Sequence, residues 1–137
     1  VHAGEVHLER IEDSETPVVV CPRSNLVTDV GLPPVRELLD RTTVALGTDN
    51  AMLNSPSMFR EMEFTSKLTD ATPVETLAMA TANGAEIAGL DCGVVAEGRE
   101  ARLLVLDGDS DNLAGAKNPV RAVVQRAGIH DVSEVVL

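Results

Sequence analysis

Tyrosine and tryptophan are absent from this sequence, and Phe59 and Phe64 are its only aromatic residues. A core must therefore come from Val, Leu, Ala, Ile and Met. Lysine is nearly absent too, with Lys67 and Lys117 alone, and the formal net charge is −11. That balance argues against nucleic acid as a partner, because phosphate binding draws on Lys and Arg. The two cysteines, Cys21 and Cys92, are isolated and lack metal-type spacing. Free thiols in a reducing cytoplasm are expected rather than a disulfide. No apolar run is long enough to cross a membrane, and no signal peptide is visible.

What is present is a pair of short apolar runs that stop abruptly. Val18-Val19-Val20 is followed by Cys21-Pro22-Arg23-Ser24-Asn25, and reads as a buried strand halted by proline. Val44-Ala45-Leu46 is followed by Gly47-Thr48-Asp49-Asn50. Between them Pro33 to Asp40 reads as a helix with Pro34 in its first turn. Strand, helix and strand in this order predict a βαβ unit with residues 17–21 and 43–47 as adjacent parallel strands. In an α/β barrel the residues just past the strands form the active-site rim. Asp49 stands at such a position. Its competing assignment is an ordinary cap on a following helix.

Further elements follow from local signals. Glu5 to Ser14 reads as a short surface helix that begins at Glu5. Ser55-Pro56 predicts a helix start running to about Lys67, with Met58, Met62 and Leu68 on one face. Thr72 and Glu75 have capping-box spacing, opening a helix that runs to about Ile87 and ends near Gly89. From Gly93 onward short β segments are expected at Gly93–Val95, Leu103–Asp107, Val120–Gln125 and Val135–Leu137. A domain boundary is placed near Cys92.

The series CPRSN, PVRELLD and VALGTDNAML resembles the amidohydrolase superfamily, in the branch of cytosine, guanine and S-adenosylhomocysteine deaminases and triazine hydrolases. The likeness continues through Met58-Phe59-Arg60-Glu61-Met62, Leu77 to Ala85 and Gly98 to Asp107, so nearly the whole chain is covered in order. The resemblance implies an α/β fold: residues 1–92 as strands six to eight of a (β/α)8 barrel, and residues 93–137 as part of a small C-terminal β-sandwich. A complete barrel needs about 250 residues, so the chain is expected to be the C-terminal portion of a longer enzyme rather than a complete small α/β protein. Arg102 departs from the family pattern, which has Asp at that place.

In this family a divalent metal, zinc or alternatively iron, activates water for attack on a ring carbon. By the resemblance, Asp49 is both a metal ligand and the acceptor of the water's proton. His2 is the counterpart of the strand-six histidine that polarises the substrate, with a frayed terminus as its alternative. His2-Ala3-Gly4-Glu5 also resembles a strand-five motif of adenosine deaminases, which would make Glu5 catalytic. Too little chain separates it from CPRSN, and Glu5 is assigned to the helix start. Ser24 and Asn25 are candidates for substrate contact or for turn structure, and Asn50 for substrate contact or for orienting Asp49. His7 and His130 are expected on the surface.

The implied reaction is hydrolytic deamination at a ring C–N bond of a small heterocyclic substrate, in the cytoplasm. One Asp and one His cannot hold a catalytic zinc, which takes three protein ligands. The isolated chain is therefore expected to be inactive and either to self-associate through its unpaired barrel edge as a homo-oligomer or else to be marginally stable. The readings set against this are a non-catalytic scaffold fragment and a small acidic binding domain. High acidity with little lysine is also similar to proteins of salt-loving organisms, although charge of this kind bears on solubility and not on fold.

Overall fold

The valine run and the Val44 segment pair as expected. In the computed structural model, which describes residues 3–137, β1 (Val18–Val20) and β2 (Val44–Leu46) lie side by side in parallel. Val18 stands opposite Val44, and Val20 opposite Leu46. The whole of β2 is buried, which is why its sequence is continuously apolar rather than alternating. The outer edge of β2 is met by a side chain: Asn83 Nδ2 donates to the Val44 carbonyl at 2.8 Å.

A parallel pair requires the chain to cross over, and it does so through two short helices, α2 (Pro22–Val27) and α3 (Val35–Leu39). Reading Pro22 only as a strand stop misses α2. Proline also suits the first helical position, where its missing N–H costs nothing, and Pro22 takes that place. Pro34, by contrast, is the residue before α3 rather than part of its first turn. Ahead of β1, α1 (Glu5–Asp13) is the surface helix expected, with Leu8 as its buried residue.

The next helix, α4 (Met58–Leu68), starts two residues later than Ser55-Pro56 suggests. Ser57 is its cap and accepts from the Arg60 N–H at 3.4 Å. Met58 and Met62 face the core, but Leu68 is exposed. Ten residues at about 100° each turn Leu68 roughly 80° away from Met58. α5 (Pro73–Ala80) has the expected capping box: Thr72 Oγ1 accepts from the Glu75 N–H, and Glu75 Oε2 accepts from the Thr72 N–H at 2.8 Å. The single helix expected through Ile87 is broken at Thr81 (φ −130°, ψ −91°), and α6 (Ala82–Ala88) ends at the left-handed Gly89.

Beyond Cys92 the expectation is half right. β3 (Leu103–Leu106) pairs antiparallel with β4 (Val132–Val136), with a bulge between Val105 and Leu106. Gly93–Val95 is irregular loop, and Val120–Gln125 lies in a helix, α7 (Pro119–Arg126). Asn118 caps α7 by accepting from the Arg121 N–H at 3.0 Å, with Pro119 at the first helical position. The Asn-Pro start and the packing of Val124 against the rest of the molecule override the β preference of three valines. The expected β-sandwich is not shown by this two-stranded ribbon.

The core joins Leu8, Val20, Val35, Leu38, Val44, Leu46, Met62, Ala71, Met79 and Val124. It is built from aliphatic and methionine side chains, as the scarcity of aromatics requires. Because α7 packs on α4 and α5 and contributes Val124, residues on both sides of Cys92 share this core. Among the described residues no helix is long and apolar enough to cross a membrane.

Candidate functional site

The C-terminal ends of β1 and β2 lie together because the strands are parallel and in register. Gly47 continues the ladder, its N–H donating to the Val20 carbonyl at 2.9 Å. A Cβ on Gly47 would stand 2.9 Å from Val19 Cγ1 and 3.1 Å from Cys21 Sγ, so the close approach of the two strand ends requires glycine. Two residues later Asp49 adopts the left-handed region, φ 55°, which Asp tolerates better than most residues. No helix begins there: the chain runs irregularly until Ser57 caps α4. Asp49 is therefore not a helix cap. Its carboxylate is exposed, and Oδ2 accepts from Ser24 Oγ at 2.5 Å.

Ser24 itself is buried, at 2 % exposure, in the first turn of α2. Its neighbour Arg23 ties that turn to α4. The Arg23 N–H donates to Glu61 Oε2 at 3.4 Å, and Arg23 Nη1 donates to Glu61 Oε1 at 3.2 Å and to the Ser55 carbonyl at 3.1 Å. The guanidinium also lies 5.9 Å from the centre of the Phe64 ring, within cation–π range. Glu61 is fully buried. Burial raises its pKa above the ordinary carboxylate value, opposed by the Arg23 amide and guanidinium, while the Asp49 charge adds to the rise. Glu61 is the residue that sequence reasoning missed. Its signal lay in the stripe Met58, Glu61, Met62 and Thr65, a helical i, i+3, i+4, i+7 face in which one member is a carboxylate.

Cys21, at the end of β1, is half-buried and free. Burial raises its pKa first, and the nearby Asp49 and Glu61 charges raise it further, against a hydrogen bond from the Asp49 amide. The net rise disfavours the thiolate, the nucleophilic form of the group. Asn25 is buried in α2. Asn50 is exposed, and its Oδ1 accepts from the Met52 N–H at 2.8 Å, closing a turn. His2 lies outside the described residues. Glu5 opens α1, and His7 and His130 are exposed. The structure thus brings Asp49, Ser24, Cys21, Arg23 and Glu61 into one cluster at the strand ends.

A catalytic zinc takes three protein ligands and keeps one position open. Among the described residues no three His, Cys, Asp or Glu side chains converge to hold a metal ion. Asp49 is one donor, and these residues do not by themselves fit a complete zinc centre. A separate cavity of about 520 Å³ lies between α4, α5, α6 and β3, lined by Met58, Met62, Met79 and Leu104 among others. Its lining is almost wholly apolar, and it offers no carboxylate or imidazole.

A parallel strand pair linked by helices, with a carboxylate and its hydroxyl partner at the strand ends, is the arrangement found at the strand-end face of an α/β barrel. The amidohydrolase family model matches residues 1–132, and the chain belongs to that family. It is 34 % identical over 146 aligned positions to a 5-methylthioadenosine/S-adenosylhomocysteine deaminase of Haloarcula marismortui, covering 99 % of this chain and 34 % of that protein. Its fold matches a zinc-bound adenosine deaminase of Xanthomonas campestris with a TM-score of 0.91 and 26 % identity, over 98 % of this chain and 34 % of the other. It also matches a mutant atrazine chlorohydrolase of Arthrobacter aurescens TC1, complexed with zinc and atraton, with a TM-score of 0.84 and 25 % identity, over 100 % of this chain and 33 % of the other. The chain spans about a third of the length of the curated relatives it matches.

Proposed function

We propose that these residues form the closing strands of the barrel of a hydrolytic deaminase acting at a ring C–N bond of a nucleoside, nucleobase or similar heterocycle. The observation that carries the reading is Asp49: an exposed carboxylate just past a buried strand, with one oxygen held by Ser24. The family membership and the deaminase relatives support the chemistry, and they favour it over a scaffold fragment or an acidic binding domain. Asp49 takes up a proton from the attacking water and returns it to the departing amine. Asn in its place offers oxygen and nitrogen but no base. A divalent ion, zinc by analogy with the neighbours, would supply a lowered water pKa. Asp49 would be one of its ligands, the described residues offering no complete set, and His2 is kept as a candidate for polarising the substrate.

The same reading makes the 137 residues alone inactive and without tight zinc. It places the full-length protein in the cytoplasm as a homo-oligomer, with the boundary near Cys92 dividing the barrel from a β-sandwich. The test is ammonia release by the full-length protein from 5'-methylthioadenosine, adenosine and guanine, and chloride release from atrazine, with metal content measured alongside. Asp49→Asn is expected to lower turnover by about 10²–10⁴-fold, the range for a general acid–base group, while the protein stays folded. Near-normal turnover would return Asp49 to a structural role.

A further inference from the structure

The Ser24 hydroxyl has one proton to give. A hydroxyl beside an ionised carboxylate donates to it, and Ser24 Oγ lies 2.5 Å from Asp49 Oδ2. That proton is then committed and is not available to a substrate. Ser24 is also 2 % exposed, whereas a residue that reads substrate needs an open face. Among the described residues no other group hydrogen-bonds the Asp49 carboxylate. The torsion that turns a carboxylate about its last bond is broad and two-fold, so a single directional donor can fix the plane of the group and leave its second oxygen turned outward.

The donor is firmly mounted. Ser24 is in the first turn of α2, beside Arg23, whose backbone and guanidinium both reach the fully buried Glu61 on α4. Arg23 also binds the Ser55 carbonyl in the loop ahead of α4. On the other side Thr28 Oγ1 donates to the Ser24 carbonyl at 3.0 Å. Asp49, in contrast, follows no helix and sits on irregular chain in a left-handed conformation. The braced element therefore orients the unbraced one.

We infer that Ser24 is a positioning residue: its hydroxyl holds Oδ2 of Asp49 so that Oδ1 is the oxygen presented to the reacting water. The inference rests on the proton-accepting role proposed for Asp49 and deepens it. It assigns to Ser24 a task different from the substrate contact that its position after a strand suggests. Arg23 and Glu61 serve the same end at one remove, by fixing the turn that carries Ser24.

The test uses the full-length, metal-loaded protein and the best substrate of the four-compound panel. Ser24→Ala is expected to lower kcat by about 10–100-fold, the range for losing a hydrogen bond to a charged group. KM should stay within about twofold, with metal content unchanged and the protein still folded. Ser24→Thr keeps the hydroxyl and is expected to recover most of kcat. The decisive reading is a double-mutant cycle on single-turnover rates: in an Asp49→Asn background, Ser24→Ala should cost almost nothing further.

A rise in KM with kcat preserved would overturn the inference in favour of substrate contact. Full additivity of the two substitutions would overturn it as well. Should Ser24→Thr fail to fold, the cycle decides alone. If Asp49→Asn abolishes turnover and Ser24→Ala leaves kcat untouched, the positioning role falls and the proposed function stands. If Asp49→Asn itself turns over near normally, both fall.

Discussion

Asp49 and Asp131 both accept hydrogen bonds from side chains, and their situations are opposite. Asp49, past β2, is exposed and receives one donor, Ser24. Asp131, ahead of β4, is buried at 2 % exposure and is saturated. It accepts from Asn112 Nδ2 at 3.2 and 3.0 Å and from the Gly128 N–H at 2.7 Å, so both of its oxygens are engaged. Those hydrogen bonds lower the Asp131 pKa below its ordinary value. A carboxylate so fully engaged has no valence left for a reacting proton and staples the loop before α7 to the turn before β4. Asp49 keeps an oxygen in reserve. The count of donors, more than the identity of the residue, separates the reactive candidate from the structural one.

The surroundings differ in the same sense. At the end of the β1–β2 pair, polar groups are held by long-range partners on other elements, Arg23 to Glu61 above all. Around the β3–β4 ribbon Leu104, Val105 and Val135 are exposed on the strands. Substitutions at the strand-end cluster should therefore disturb more of the structure than substitutions in the ribbon.

The largest loss of stability is expected from Arg23→Ala. It leaves the fully buried Glu61 with the backbone N–H of residue 23 but no cation, and removing one partner of a buried pair costs about 3–5 kcal/mol. Urea denaturation of the full-length protein measures it. A cost below 1 kcal/mol would mean that Glu61 is held by something other than Arg23. Gly47→Ala comes next, at about 1–3 kcal/mol for an overpacked contact, because its Cβ would press on Val19 and Cys21. Gly108→Ala, in the ribbon region, meets nothing within 4 Å and should be close to neutral. Equal effects at the two glycines would erase the distinction between the regions.

The smallest effect is in the pH profile, where the two regions have opposite signs. Asp131 has a lowered folded pKa. Its contribution to stability is present above its ordinary value of 3.8 and is lost as pH falls through the lower folded value. Glu61 has a raised one. The fold binds its proton more tightly than the unfolded chain does, so its contribution falls as pH rises from 4.5 through the folded value and is level above it. Melting curves between about pH 2 and 8 are expected to lose part of their acid limb in Asp131→Asn and their weakly acidic slope in Glu61→Gln. Identical profiles for the two variants would contradict the assignment of causes.

The strand ends were legible in the sequence because both parallel strands are written as unbroken apolar runs, and Gly47-Thr48-Asp49 stops one of them; the expectation of full burial holds for β2 but not for β1, where Val19 is exposed. Local chemistry also sufficed for the Thr72–Glu75 box and the Gly89 helix end. It did not suffice where a residue's role depends on a distant partner. Nothing local reveals that Arg23 pairs with Glu61, 38 positions away, or that the Ser24 hydroxyl turns towards Asp49. α7 was hidden by its valines, whose β preference yields once they pack on α4 and α5. Pro22 was ambiguous because proline both ends strands and begins helices.

The most direct measurement compares Asp49→Asn and Asp131→Asn in one experiment, reading turnover and Tm of the full-length protein at neutral pH. The account predicts a crossed result. Asp49→Asn loses turnover by about 10²–10⁴-fold at nearly unchanged Tm, and Asp131→Asn lowers Tm by a few degrees with kcat kept. An Asp49→Asn protein that melts early and retains its turnover would contradict it.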